Sequence, residues 1–408
     1  MHDTTEITEE AESLDVAGPP DDAAGGPDAI RHTTSPCLSP DGSMLACVVT
    51  ERTGYPRAVQ RPLGLGGLDG AGPERDVVLP VNGPVRRVAY SPNGKWLACE
   101  VAPDGGERQR IWLVTTDPAD KDVYPIDTHH DATEQIVCWD GDLLALTAFD
   151  SEGLAEGRLV DPETGESTVV DSRMGGALVH ARDGAALFRV GARGHRELLR
   201  IVPDGRWWPL LPVDTGSTTD AGVILDAGGE DRPMRMIVRS DHSAERMGLI
   251  AVVADEESTE SWPVAYREDA DLDRVEVSLD RSTAVLLWNV RGGLSEIEVL
   301  DLSGDRPRVI VRPPLPEVVA SSPTLTADGR LLALTVQSLD QPPRIVMYDV
   351  ERRRWTGEPP RQPDPAPVLV HFTARDGLEL SGWLYRADPA DEPTPTVVYL
   401  HGGTSTSA

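Results

Sequence analysis

The chain has 408 residues, 39% of them hydrophobic and 26% charged, with 68 acidic against 38 basic side chains and a net charge of -30. That length allows two or three domains with ample core. Only two lysines occur, Lys95 and Lys121, and the arginines are dispersed, which excludes a phosphate-binding surface for nucleic acid; no stretch approaches the ~20 apolar residues of a membrane span.

In chain order, residues 1–28 form an acidic, Pro/Gly-rich arm with almost no large apolar residues. Such a segment cannot bury enough surface to order itself, although residues 5–14 have some helical pattern. It has neither a basic stretch nor an apolar run, so no signal peptide is read. The four cysteines, Cys37, Cys47, Cys99 and Cys138, have no C-x-x-C spacing. They read as small buried residues of a reduced, cytoplasmic protein rather than disulfide or metal partners.

One pattern then recurs: apolar strand, Asp-Gly turn, apolar strand. It appears as S-P-D-G-S-M-L-A-C (39–47), S-P-N-G-K-W-L-A-C (91–99), C-W-D-G-D-L-L-A-L (138–146), A-R-D-G-A-A-L-F-R (181–189) and T-A-D-G-R-L-L-A-L (326–334), with a degenerate copy at 279–287. The turn residue falls at Gly42, Gly94, Gly141, Gly184, Ser282 and Gly329, in steps of 52, 47, 43, 98 and 47 residues. The step of 98 is two periods, so one unit near residue 233 has lost its signature. Six periods of about 48 residues mean seven units, and a period of this size with several strands per unit marks a β-propeller. A third strand follows in several units, as in R-I-W-L-V (110–114), H-R-E-L-L-R-I-V (195–202), S-E-I-E-V-L-D (295–301) and R-I-V-M-Y-D (344–349). In each turn Asp can bond the backbone two residues on, and Gly accepts positive φ. These aspartates are therefore structural, and the turns lack the dense oxygen ligands that calcium needs. The A-C, A-L and A-V pairs after the turns are expected on inner strands. Seven blades are expected over 29–362.

Two other constellations carry no site. His129-His130-Asp131, with Asp127 and Glu134 nearby, lies on a polar interblade loop where adjacent histidines point apart, so no metal is assigned. Trp207-Trp208 follows a Pro-Asp-Gly turn and reads as packing at a blade edge.

The segment 358–367 holds five prolines in ten residues and behaves as a stiff linker. The final segment, 363–408, changes character. V-L-V-H-F-T-A (368–374), the turn Arg375-Asp376-Gly377 and L-E-L-S-G-W-L-Y (378–385) read as a hairpin, followed by a polar loop over 387–395. T-V-V-Y-L (396–400) is a short apolar run of the kind found in strands buried on both faces. His401-Gly402-Gly403 follows directly. Acyl transfer needs backbone N–H groups aimed at a developing oxyanion, and glycines after a central strand can expose one. His401 thus opens a candidate oxyanion loop, with Gly402 and Gly403 as candidate donors. The fold class expected is mainly β: a seven-bladed propeller followed by the first strands of an α/β-hydrolase domain.

Taken together, the S-P-D-G repeats, the D-G-x-x-x-x-G-W-L-Y hairpin and the H-G-G loop resemble the prolyl oligopeptidase family of serine peptidases, in its acylaminoacyl-peptidase and dipeptidyl-peptidase-like branch. The resemblance covers the chain from about residue 29 and is most specific over 370–403. It implies a propeller that restricts access to short peptides, hydrolysis through an acyl-enzyme without a cofactor, and an oxyanion donor at Gly402 or, better, Gly403. Many members have Pro after H-G-G, where this chain has Thr404. No G-x-S-x-G occurs in the sequence; Ser405 in G-T-S-T-S lacks the closing glycine and a following helix, so no nucleophile, triad Asp or triad His is assigned. The expectation is a chain truncated early in its hydrolase domain and inactive alone. The rival expectation is a non-catalytic propeller of the TolB or WD-repeat kind that serves as a protein-binding scaffold.

Overall fold

The computed structural model describes residues 31–356, apart from short gaps at 65–66, 118, 121, 127–130, 213–215, 230–231, 291–292, 305 and 339–340, together with residues 368–385 and 397–399. The arm 1–28, the linker 358–367 and the loop 387–395 lie outside the described residues.

Between residues 32 and 356 the strands form seven four-stranded antiparallel sheets, each taking its strands in chain order. The blades span 32–76, 85–125, 133–174, 177–209, 219–265, 270–311 and 319–356. The described chain is almost wholly strand and turn, with one short 3-10 turn at Pro103–Gly105. The molecule is a seven-bladed β-propeller. The unit that lacks its turn signature is a full blade, whose first two strands, Thr219–Asp226 and Met234–Ser240, are joined by a longer loop through Gly228.

The repeated turns explain why the first two strands of a blade fold back on each other. Asp41 Oδ1 accepts from the Ser43 N–H (3.0 Å) and from Ser39 Oγ (2.6 Å), while Ser39 Oγ accepts from the Met44 N–H (2.9 Å). The same lattice recurs at Ser91-Asn93-Lys95, Ser278-Asp280-Ser282 and Thr326-Asp328-Arg330. It corrects one assignment: in the sixth blade the left-handed residue at the place of Gly42 is Arg281 (φ +61°), not Ser282. The Ser278-x-Asp280 lattice fixes that register and holds a non-glycine residue in the left-handed region.

The first strands lie innermost. Those of adjacent blades approach one another, whereas the fourth strands sit apart. The Ala46-Cys47 and Ala98-Cys99 pairs therefore do not belong to the innermost strands, as expected from sequence, but to the second strands, Met44–Thr50 and Trp96–Val101. Their small size serves packing between blade faces, where both pairs are buried. Each first strand also carries a β-bulge, at 34–37, 85–87, 136–138, 178–180, 219–221, 272–274 and 321–324. An extra residue bends the strand and re-aims its side chains.

Because strands alternate in direction, every blade begins and ends on the same face, opposite the Asp-Gly turns. We call this the start face. The chain leaves the last blade there, after Arg354–Thr356. Closure joins blade 7 to blade 1 without exchange of a strand. The Thr33 N–H donates to Pro343 O (2.9 Å), Thr33 Oγ1 accepts from the Ile345 N–H (3.1 Å), and Leu38, Cys47 and Val59 pack on Ala333, Ile345 and Met347.

Beyond the propeller, Val368–Thr373 and Glu379–Leu384 pair as the expected hairpin, turning at Gly377 (φ +91°) with Asp376 Oδ1 accepting from the Leu378 N–H (3.1 Å). The next expectation is not met. Val397–Tyr399 belongs to no strand and is exposed, Val397 by 93% and Tyr399 by 91%. A strand buried on both faces needs a partner at its edge and layers above and below, and no described residue supplies them.

Candidate functional site

The oxyanion-loop candidates His401, Gly402 and Gly403 lie outside the described residues, as does Ser405. The geometry available is that of the propeller axis and the start face.

Side chains from several blades converge on the axis because the bulges turn them inward. Arg87, on the first strand of blade 2, donates to Ile136 O (2.6 Å) and Val137 O (3.4 Å) of blade 3. Its charge also reaches Cys37 on blade 1, Cys138 on blade 3 and Glu276 on blade 6. Burial raises the Glu276 carboxyl to about 7, against the lowering influence of Arg87 and then Arg274. His180, on blade 4, is pushed the other way: burial, then Arg182, lowers it to about 4. It is therefore neutral near pH 7, and its Nδ1 faces the Ile224 N–H of blade 5 at 3.5 Å.

The thiols are structural. Cys37 Sγ accepts from the Tyr90 N–H (3.2 Å), and Cys138 Sγ meets Ala181 N and O at 3.4 and 3.7 Å. Each ties one blade's inner strand to the next. Burial raises Cys37 to about 11 and Cys47, Cys99 and Cys138 to about 12, far from the range of a reactive thiolate. None of the four is in a disulfide.

On the start face a cavity of about 230 Å³ opens between blades 6 and 7, lined by Asp273, Trp288, Asn289, Ser295, Val319 and Ala320. A smaller cleft of about 20 Å³ lies between blades 4 and 5 beside Arg196, Thr219 and His242.

Where described, the constellations given no site in sequence make ion pairs, hydrogen bonds and ring contacts. Asp131 pairs with Arg108 (2.7 Å), and the buried Glu134 accepts from Arg110 (3.1 Å) and the Ile111 N–H (2.9 Å); Asp127, His129 and His130 lie outside the described residues. Among the described residues no group of three or more His, Cys, Asp or Glu side chains is placed to hold a metal. Trp207 and Trp208 lie at the outer edge of blade 4 under guanidinium groups, Arg173 at 4.4 Å and Arg200 at 4.7 Å. Among the described residues no helix is long and apolar enough to cross a membrane.

Sequence reasoning missed the axial groups Arg87, His180 and Glu276. A signal was present for several blades. Polar doublets interrupt the first strands at Thr34-Ser35, Arg86-Arg87, Asp273-Arg274 and Ser321-Ser322, and each falls on a bulge.

No family model matches the sequence, and no curated protein matches it. Solved structures do. A prolyl endopeptidase, from a structural and mechanistic study of two such enzymes, superposes with a TM-score of 0.64 at 17% identity over 86% of this chain and 54% of its own. Prolyl oligopeptidase B from Galerina marginata, as the apo protein, gives 0.61 at 15% identity over 86% and 55%. The same enzyme bound to a 35mer hydrolysis and macrocyclization substrate gives 0.63 at 14% identity over 86% and 54%. At these identities the likeness is one of fold. The chain spans about half the length of the structures it resembles.

Proposed function

We propose that these residues form the substrate-gating propeller of a serine peptidase of the prolyl oligopeptidase kind, with short peptides as its substrates and the cytoplasm as its compartment. The observation that carries this reading is the superposition of 86% of the chain on about half of each prolyl oligopeptidase. The hairpin at 368–384 and the H-G-G string at 401–403 support it. They follow the last blade in the order that an α/β-hydrolase domain requires, with Gly402 or Gly403 offering one oxyanion N–H. The hydrolase nucleophile would come from outside these 408 residues, because they contain no G-x-S-x-G. Within them the work is admission. The inner strands carry Arg87 and Glu276, whose charges meet across the ring, and on this reading that axis is the route of an extended peptide.

The alternative is a non-catalytic scaffold that docks a folded partner. Binding separates the two. Fluorescence anisotropy with the 408-residue chain is expected to register labelled peptides of about ten residues and no folded 100-residue protein. Exclusive binding of a folded protein would support the scaffold instead.

A further inference from the structure

Two arginines meet one carboxylate at the junction of blades 4 and 5, with a third close enough for its charge to be felt, in a protein that otherwise carries a large excess of acid. Asp220 is the bulge residue of the first strand Thr219–Asp226, with a side chain only 11% exposed. Arg196 Nη1 approaches it at 3.6 Å and Arg239 Nη1 at 3.3 Å. Arg196 lies in the turn before the strand Glu197–Ile201, and its carbonyl accepts from the Thr219 N–H (2.7 Å), which fastens the two blades together. Arg189, on the strand Ala185–Val190, is the third guanidinium. It feels the charges of Arg196, Asp220 and Arg239 and makes no hydrogen bond or ion pair of its own among the described residues.

The cluster is underneutralised in two respects. Two guanidinium groups, those of Arg196 and Arg239, are in ion-pair contact with one carboxylate, and the charge of a third, Arg189, acts on the same group, which leaves two positive charges over. Hydrogen-bonding capacity is also left over: among the described residues Arg239 Nε is buried without a partner, and Asp220 Oδ1 meets Arg239 without hydrogen-bond geometry. Burial and the two neighbouring arginines depress Arg189, a direction that an added anion would reverse. A buried cationic donor left unpaired is costly, and guanidinium forks match planar or tetrahedral oxyanions through paired N–H contacts. All four residues sit at strand ends on the start face.

We propose that Arg189, with Arg196 and Arg239, forms a binding site for an oxyanion, either the terminal carboxylate of a peptide or a phosphate group. Asp220 holds the two flanking guanidiniums in place and competes weakly for them. The site itself does not depend on the peptidase reading; only the choice of a peptide terminus as the carrier does.

Calorimetry with the 408-residue chain at low salt tests it, using N-acetyl-trialanine as the free acid, the same peptide as its C-terminal amide, and inorganic phosphate. Arg189→Ala is expected to weaken the bound anion by about tenfold or more, the scale of one charge-assisted contact. Arg189 has no partner to lose, so the fold should persist. Asp220→Asn, by removing the competing carboxylate, should tighten the anion severalfold. Binding of the free acid but not the amide identifies a peptide terminus. Binding of phosphate alone, lost in Arg189→Ala, upholds the oxyanion site and counts against the peptide as its source. No binding by any probe, or equal binding by wild type and Arg189→Ala, would overturn the proposal.

Discussion

Thr33 and Ile345, 312 residues apart in sequence, are joined by a hydrogen bond in which Thr33 Oγ1 accepts the Ile345 N–H at 3.1 Å. The bond lies on the seam where the first blade meets the last. No strand is exchanged there, so side-chain packing and a few polar contacts carry closure of the ring. Thr33→Val should cost about 1 kcal/mol, the net worth of one such bond. Ile345→Ala should cost about 2–4 kcal/mol, because Ile345 is 8% exposed and packed against blade 1. Amide exchange resolved along the chain should show faster opening in blades 1 and 7 than in blade 4 for both variants. Uniform acceleration would mean that the seam is no weaker than other junctions.

Two glycines of the repeated turn separate backbone strain from crowding. Gly141 (φ +57°) has nothing within 4 Å of where a Cβ would stand, whereas at Gly329 (φ +68°) a Cβ would lie 2.4 Å from Thr283 Oγ1. Gly141→Ala should therefore cost only the left-handed penalty, about 1–2 kcal/mol. Gly329→Ala should cost clearly more, because blade 6 must shift as well. Urea midpoints of the two variants measure the difference, and equal losses would contradict it.

The seven-unit count was legible because the Asp-Gly turns impose a strict local chemistry at a fixed period, which survives even where Arg281 replaces glycine. Blade 5 could be inferred only from the doubled step between Gly184 and the next turn, since Gly228 sits in a longer loop with no S-P-D-G string. The axial groups were not legible as a set. Arg87 and Glu276 come within reach of each other's charge only when ring closure brings blades 2 and 6 around one axis, His180 faces blade 5, and a period says nothing about which residue a bulge turns inward. At 397–399 the composition matches a doubly covered strand, but such coverage depends on other segments, and none of the described residues provides it.

Axial burial predicts two opposed pH dependences. Glu276, ordinarily at 4.5, rises to about 7. Between these values the folded chain keeps a proton that the unfolded chain has released, so this stabilising contribution is complete below 4.5 and lost as pH rises through 7. His180 falls from 6.5 to about 4. Its contribution is complete above 6.5 and lost as pH falls towards 4. Glu276→Gln should raise stability at pH 8 by about 1–2 kcal/mol, after allowing for water at this half-buried group. His180→Asn should flatten the loss on the acid side. Urea unfolding of both variants from pH 4 to 8 reads each slope separately; slopes unchanged from wild type would remove these groups as the cause.

Trp288 is wholly buried between blades 5 and 6, and its indole N–H has no hydrogen-bond partner among the described residues. Truncation to Ala should cost about 3–5 kcal/mol through the cavity it leaves. Trp288→Phe should cost less than about 1.5 kcal/mol, because the smaller ring removes the unsatisfied donor along with some contact. Chemical denaturation distinguishes these outcomes, and similar losses for both variants would show that the N–H has a partner.

The thiols, buried at Cys47 and Cys99 and half-buried at Cys37 and Cys138, should be silent. Cys37 and Cys138 bridge neighbouring inner strands, and all four cysteines sit at about 11 or 12. An aromatic disulfide reagent at pH 8 is expected to label none of them in the folded chain and all four in urea. Rapid native labelling of Cys37 would place it on a solvent path along the axis.

The proposal that these residues admit peptide without cleaving it is tested most directly by incubating the purified 408-residue chain with a serine-directed fluorophosphonate and short peptide substrates. The expected result is no covalent adduct and no turnover above the uncatalysed rate. An adduct mapped by mass spectrometry to any hydroxyl in this sequence, with turnover that the reagent abolishes, would contradict it.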